Sequence, residues 1–200
     1  NDLTVLGLAS EIVMIDINNE NFKNCKALRY VNIAELTELR EISSQDFNVG
    51  ECKNLFAGQV LDLSKTKLAY IDQGSLACVA ATEIILPETL TKIGDWAFQT
   101  CKYVTKITFL GEITSLKTNS TFKDCQSLEE IVNFKLTSDS FGGYMFQNCH
   151  KLKNAGELEQ FSVPYIGSRA KSINDSNVNP TEFVELLTPF IHLFFDILIK

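Results

Sequence analysis

One spacing constrains this chain more than any other feature. Phe98-x-x-Cys101-x-x-Val104-x-x-Ile107 returns as Phe22-x-x-Cys25-x-x-Leu28-x-x-Val31 and as Phe122-x-x-Cys125-x-x-Leu128-x-x-Ile131. A weaker copy is Phe146-x-x-Cys149-x-x-Leu152-x-x-Ala155. Two copies are irregular: Phe47 reaches Cys52 with two extra residues, and Leu76 reaches Cys78 with one too few. All six cysteines then share one position of the unit, at intervals of 27, 26, 23, 24 and 24 residues. The upstream half repeats too. Ile17, Ile42, Ile71, Ile93 and Phe141 stand five residues before the anchors Phe22, Phe47, Leu76, Phe98 and Phe146, while Leu116 needs one more to reach Phe122. Three residues earlier lie Met14, Leu39, Leu68, Leu90 and Ile113, with Ser138 the exception. A last partial copy, Val163, Ile166, Gly167 and Ala170, meets Lys171 where the Phe belongs, so the array ends there.

A unit of about 20 to 29 residues cannot bury its own apolar side and must stack on copies of itself, which predicts a solenoid. Val31-Asn32-Ile33, Leu61-Asp62-Leu63, Ile84-Ile85-Leu86 and Ile107-Thr108-Phe109 read as short strands of period two, stacking into a parallel sheet. The remainder of each coil supplies the crossover that parallel strands need. Trp96 to Lys102 has one turn of helical spacing, with Ala97, Phe98 and Cys101 inward. Gly94, Gly142 and Gly167 recur where a turn with unusual backbone angles would favour glycine. Leu3-Thr4-Val5-Leu6-Gly7 aligns with Ile107-Thr108-Phe109-Leu110-Gly111, so the chain is expected to open on a strand. Either further repeats precede Asn1, or that face meets a partner.

The pattern L-P-x-x-L-x-x-I-G-x-x-A-F-x-x-C-x-x-L-x-x-I closely resembles the BspA-like, or Treponema pallidum-type, leucine-rich repeat. Residues 86 to 107 match it almost position for position, and degenerate copies cover roughly residues 3 to 170. Two departures stand out: Leu-Pro occurs only at Leu86-Pro87, and the insert before Cys52 distorts one coil. The resemblance implies an α/β repeat fold: a curved right-handed solenoid of about six to seven coils. A parallel sheet would line its concave face, with short helical or irregular convex segments. It further implies a cell-surface or secreted location, adhesion or protein binding, and no enzyme activity.

The residues by themselves offer little chemistry. No C-x-x-C pair exists and the only histidines are His150 and His192, so no zinc site and no cofactor is expected. One Cys per coil at an inward position reads as a buried apolar ladder. Stacked coils lie about 5 Å apart, within disulfide reach, but a ladder gives each Cys two equivalent neighbours and no specific mate. His150 occupies a position held by Lys26, Lys53 and Lys102 in other copies, so it reads as exposed. Adjacent Glu129 and Glu130 would point to opposite sides and make a poor acid/base pair. Trp96 is expected to pack partly on the convex side. Asn119-Ser120-Thr121 and Asn174-Asp175-Ser176 are glycosylation sequons, of consequence only in a secreted eukaryotic chain. A net charge of −7 without a Lys/Arg stripe argues against nucleic acid.

The sequence divides into a repeat region, 1–171, and a C-terminal linker with an apolar helical cap, 172–200. Pro180-Thr181-Glu182 starts the apolar helix, and Glu185, Pro189, His192 and Asp196 interrupt it. Spanning a bilayer takes about 20 largely apolar residues, so a cap over the last coil is favoured, and membrane contact is expected only through this segment. The outward row of the sheet is the candidate binding face: Tyr30, Asn32, Val60, Asp62, Glu83, Ile85, Lys106, Thr108, Glu130 and Val132. It mixes apolar groups with both signs of charge, which suits a protein, or a glycan, better than a polyanion. Two function classes follow, a noncatalytic binding module at a surface and an intracellular structural scaffold or spacer.

Overall fold

The structure, a computed structural model, describes residues 4–11, 14–15, 27–43, 53–116, 120–135 and 144–153. There the chain is a parallel β-solenoid with almost no helix. Its strands are β1 (Val5–Leu6), β2 (Met14–Ile15), β3 (Tyr30–Val31), β4 (Glu41–Ile42), β5 (Val60–Asp62) and β6 (Tyr70–Ile71), then β7 (Glu83–Leu86), β8 (Lys92–Ile93), β9 (Lys106–Phe109), β10 (Ser115–Leu116) and β11 (Glu130–Val132). Strands β5-β7-β9-β11 form a front sheet, β2-β4-β6-β8-β10 a side sheet, and β1-β3 a separate pair, with every pairing parallel. About four turns are continuous across the front sheet. The larger coil count expected from the sequence, the boundary at residue 171 and the C-terminal segment extend outside the described residues.

Each complete coil gives a strand to the front sheet, a strand to the side sheet, and a turn leading back. Three rows of side chains fill the interior. Leu61, Ile84, Ile107 and Ile131 come from the front, Ile42, Ile71 and Ile93 from the side, and Leu76, Phe98, Phe122 and Phe146 from the turn face, all buried. Phe98, Phe122 and Phe146 stack face to face, with ring centroids 5.6 and 5.4 Å apart and planes within 7°. Burying a Phe contributes about 2 to 3 kcal/mol, and its contact with another ring about 1 kcal/mol more.

The turn face is not helical. Gln99 N–H donates to Trp96 O at 2.9 Å, but residues at both ends of the turn are left-handed: Gly74 and Cys78, Trp96 and Thr100, Ser120 and Asp124, Tyr144 and Asn148. A left-handed residue turns the chain out of helical continuation. The freed amides pair between coils instead. Leu76 and Cys78 N–H donate to Ala97 and Gln99 O, Phe98 and Thr100 to Thr121 and Lys123 O, and Phe122 and Asp124 to Met145 and Gln147 O, at 2.7 to 3.0 Å. The i, i+3 apolar spacing that suggested a helical turn is met by a stacked turn that pairs as a sheet does. Among the described residues the helical element is one 3-10 turn, Asn32–Glu35.

Four further expectations are corrected. Cys78 does not share the ladder of Cys101, Cys125 and Cys149. Its left-handed backbone and its amide bond to Gln99 place it with Thr100, one residue early, and buried Val79 takes the ladder position. Gly94 has no left-handed backbone; it is needed because a Cβ there would lie 2.5 Å from Gln73 N in the preceding coil. Gly142 and Gly167 fall outside the described residues. At the N-terminus Leu6, not Leu3, aligns with Ile107. Val5 and Leu6 pair with Tyr30 and Val31, and Arg29 and Tyr30 N–H both reach Thr4 O as Glu129 and Glu130 N–H reach Thr105 O. Finally, the strand expected at Val31-Asn32-Ile33 stops at Val31, where the 3-10 turn begins.

Candidate binding surface

Alternation along the front strands decides what faces out. Ile84 and Leu86 of β7 are buried, so Glu83 and Ile85 project from the opposite side, and the same holds along β9 for Lys106 and Thr108. Backbone pairing fixes the rest: Val60, Glu83, Lys106 and Glu130 form one column, and Asp62, Ile85, Thr108 and Val132 the next. Eight of the ten candidate residues are thereby brought together, on a rigid ladder with about 4.8 Å between neighbours.

The charges are organised within this grid. Lys106 lies between Glu83 and Glu130 and its Nζ is 3.4 Å from Glu130 Oε2. Asp62 Oδ1 accepts the Ser64 N–H at 2.9 Å, and hydrogen bonds from Ser64 hold this carboxyl below its ordinary range. Val60, 51% exposed, and the half-buried Ile85 and Val132 supply apolar area between the charges. Complementary charges set orientation and association rate, and desolvated apolar contacts at the centre supply affinity. The grid holds both.

Tyr30 and Asn32 do not belong to it. Tyr30 sits in the separate β1-β3 pair, its hydroxyl donating to Glu35 Oε1 at 2.6 Å and its ring 6.3 Å from Phe56, edge to face. Hydrogen bonding to Glu35 raises the tyrosine's pKa. Asn32 is occupied by the fold: its Oδ1 accepts Leu8 N–H at 2.7 Å and its Nδ2 donates to Leu8 O at 3.1 Å. Glu129 and Glu130 diverge to Lys153 and Lys106, and His150 is exposed, as the sequence suggested.

A family model of the BspA-type leucine-rich-repeat region matches residues 8–129 and 69–172, in six copies. The chain belongs to the BspA-type leucine-rich-repeat family. Its backbone is similar to the crystal structure of a T. pallidum leucine-rich-repeat protein, with a TM-score of 0.57 and 21% sequence identity over 82% of this chain and 86% of that one. A leucine-rich-repeat protein from Bacteroides ovatus ATCC 8483 is similar at a TM-score of 0.41 and 18% identity, over 76% of this chain and 48% of that one. No curated protein matches in sequence.

In this BspA-type chain three of the recurring Cys residues belong to the core. Cys101, Cys125 and Cys149 are buried and unbridged, and their thiols donate to Leu76, Phe98 and Phe122 O at 3.4, 3.2 and 3.0 Å. Burial pushes the Cys125 thiol well up, and hydrogen bonding to Cys125, then burial, raises Cys149. Apart from Trp96, expected to pack partly on the convex side, sequence reasoning missed the left-handed row of the turn face, Gly74, Trp96, Ser120 and Tyr144. Its signal was available: each stands two residues before the inward anchors Leu76, Phe98, Phe122 and Phe146.

Proposed function

We propose that this chain is a noncatalytic protein-binding module whose front-sheet grid, on the inner curve of the solenoid, is its binding surface. The observation that carries the reading is the register itself, which sets Val60, Glu83, Lys106 and Glu130 beside Asp62, Ile85, Thr108 and Val132. A repeat array presents such a row rigidly over several coils. The family supports protein interaction in general, and we extend it to adhesion by a surface-exposed or secreted protein with host or matrix proteins as partners. We also propose that the array continues to the six or so coils that its repeats count.

The test is a pull-down from host-cell and matrix extracts with the wild-type chain and with Glu83→Lys/Lys106→Glu. Exposed pairs of this kind are worth under about 1 kcal/mol, so the variant should melt close to wild type while losing its captured partner. Equal capture by both proteins would move the binding surface away from this sheet. Specific capture of nothing by the wild type would favour a spacer role.

A further inference from the structure

The turn face carries a feature that packing does not require. Two residues before each inward anchor the backbone is left-handed, with φ 65° at Gly74, 56° at Trp96, 60° at Ser120 and 69° at Tyr144. Glycine and small polar residues reach this region readily, whereas a bulky residue there is an outlier. The fold accepts Gly and Ser at this position, and both are buried. Trp96 and Tyr144 are instead 38% and 45% exposed, while the core is filled by Phe98 and Phe146 two residues on. Phe56 shares this backbone conformation with its ring in the core, so it is the exposure of the Trp96 and Tyr144 rings that points to a use outside the fold.

The row alternates small, large, small, large along successive coils. Its two aromatic positions are therefore two steps apart, about 10 Å at some 4.8 Å per step, with Ser120 as a low shelf between them. Four residues further along each turn is a second left-handed row: Thr100, Asp124 and Asn148. Asn148 Nδ2 donates to Asp124 Oδ1 at 2.6 Å, and Lys123 Nζ lies 6.0 Å from the centre of the Tyr144 ring. Two aromatic residues are thus flanked by a band of hydroxyl, carboxylate, amide and ammonium groups.

We propose that Trp96 and Tyr144 form a stacking platform for an extended β-1,4-linked glycan. Pyranose rings offer an apolar C–H face to an aromatic ring, and their hydroxyls both donate and accept hydrogen bonds. In a flat β-1,4 chain every second sugar presents the same face, which matches two aromatic contacts separated by one empty step. A polyproline segment also repeats, at about 9 Å per three residues, and docks on aromatic side chains. It lacks N–H donors at proline, so the acceptor sites that Asp124 keeps beyond its bond from Asn148 would gain no donor from it. Sugar hydroxyls supply one. This surface is distinct from the front-sheet grid and does not rest on it.

Trp96 is the only tryptophan in the chain, so intrinsic emission reports directly on the platform. Titration with cellohexaose and chitohexaose should quench or blue-shift it saturably for at least one of the two. Tyr144→Ala should weaken that binding by about tenfold, Tyr144→Phe should retain it, and Glu83→Lys/Lys106→Glu should leave it unchanged. Thermal melts show whether each variant is folded, and calorimetry reads Trp96→Ala, which should abolish binding. No saturable response to either hexasaccharide overturns the proposal, as does equal affinity in folded Tyr144→Ala. A response to a proline decapeptide alone would overturn the glycan assignment in favour of a peptide.

Discussion

A Cβ on Gly94 would meet Gln73 N at 2.5 Å and the Asp72 carbonyl carbon at 2.8 Å, backbone atoms held by the Gly94 N–H bond to Ile71 O. Nothing flexible can give way. Gly94→Ala should therefore cost about 1 to 3 kcal/mol, in the range of other overpacked sites, and an unchanged urea midpoint would refute this close approach. Residue-scale environment also separates the thiols. Cys78 is half-buried, with its pKa raised by burial, whereas Cys101, Cys125 and Cys149 are fully enclosed. Among these four, a thiol reagent should label Cys78 first in the native chain, at a rate that still climbs above the ordinary thiol range near 8.5. Comparable native labelling of Cys125 would contradict the ladder.

At the scale of elements, the stacked Phe and Cys rows bind neighbouring coils along the turn face. Phe122 lies between Phe98 and Phe146 and meets the Phe134 ring edge-on at 6.4 Å. Phe122→Ala should cost about 3 to 5 kcal/mol, and a smaller loss than for Phe146→Ala would place the centre of the stack elsewhere. The thiol row adds a pH dependence. Cys125 and Cys149 keep their protons in the folded chain at pH values where an unfolded thiol has lost them. Above about pH 8.5 the unfolded chain therefore binds fewer protons, and stability falls as pH rises. Cys125→Val puts into the ladder the side chain that buried Val79 already supplies in the same row. It should flatten that fall in a series of urea melts from pH 7 to 10. A slope unchanged by the substitution would assign it to other groups.

For the whole molecule, contact is local: each coil touches the one before and the one after, so stability is a sum of coil and interface terms. Much of this was legible in the sequence because stacking like units repeats the same burial. Leu39, Leu68, Leu90, Ile113, Ile42, Ile71, Ile93, Phe98 and Phe122 all recur at fixed apolar positions of the unit, and all are buried. The outward front columns followed from the same alternation. What the spacing could not carry was the conformation of the turn, since an i, i+3 apolar pair suits a helical turn and a left-handed stacked turn equally. Nor could it place Cys78, whose neighbour Val79 enters the ladder only because the Cys78 amide pairs with Gln99. Asn32 fitted the outward alternation, yet its amide is taken by Leu8, a partner 24 residues away. The N-terminal strand could slide by three residues until pairing with Tyr30 and Val31 chose Leu6. The sequence determined which side chains are buried, because apolar periodicity is a property of one coil. The tertiary structure decided register, turn geometry and the use of individual polar groups, because those depend on backbone atoms that only the adjacent coil supplies.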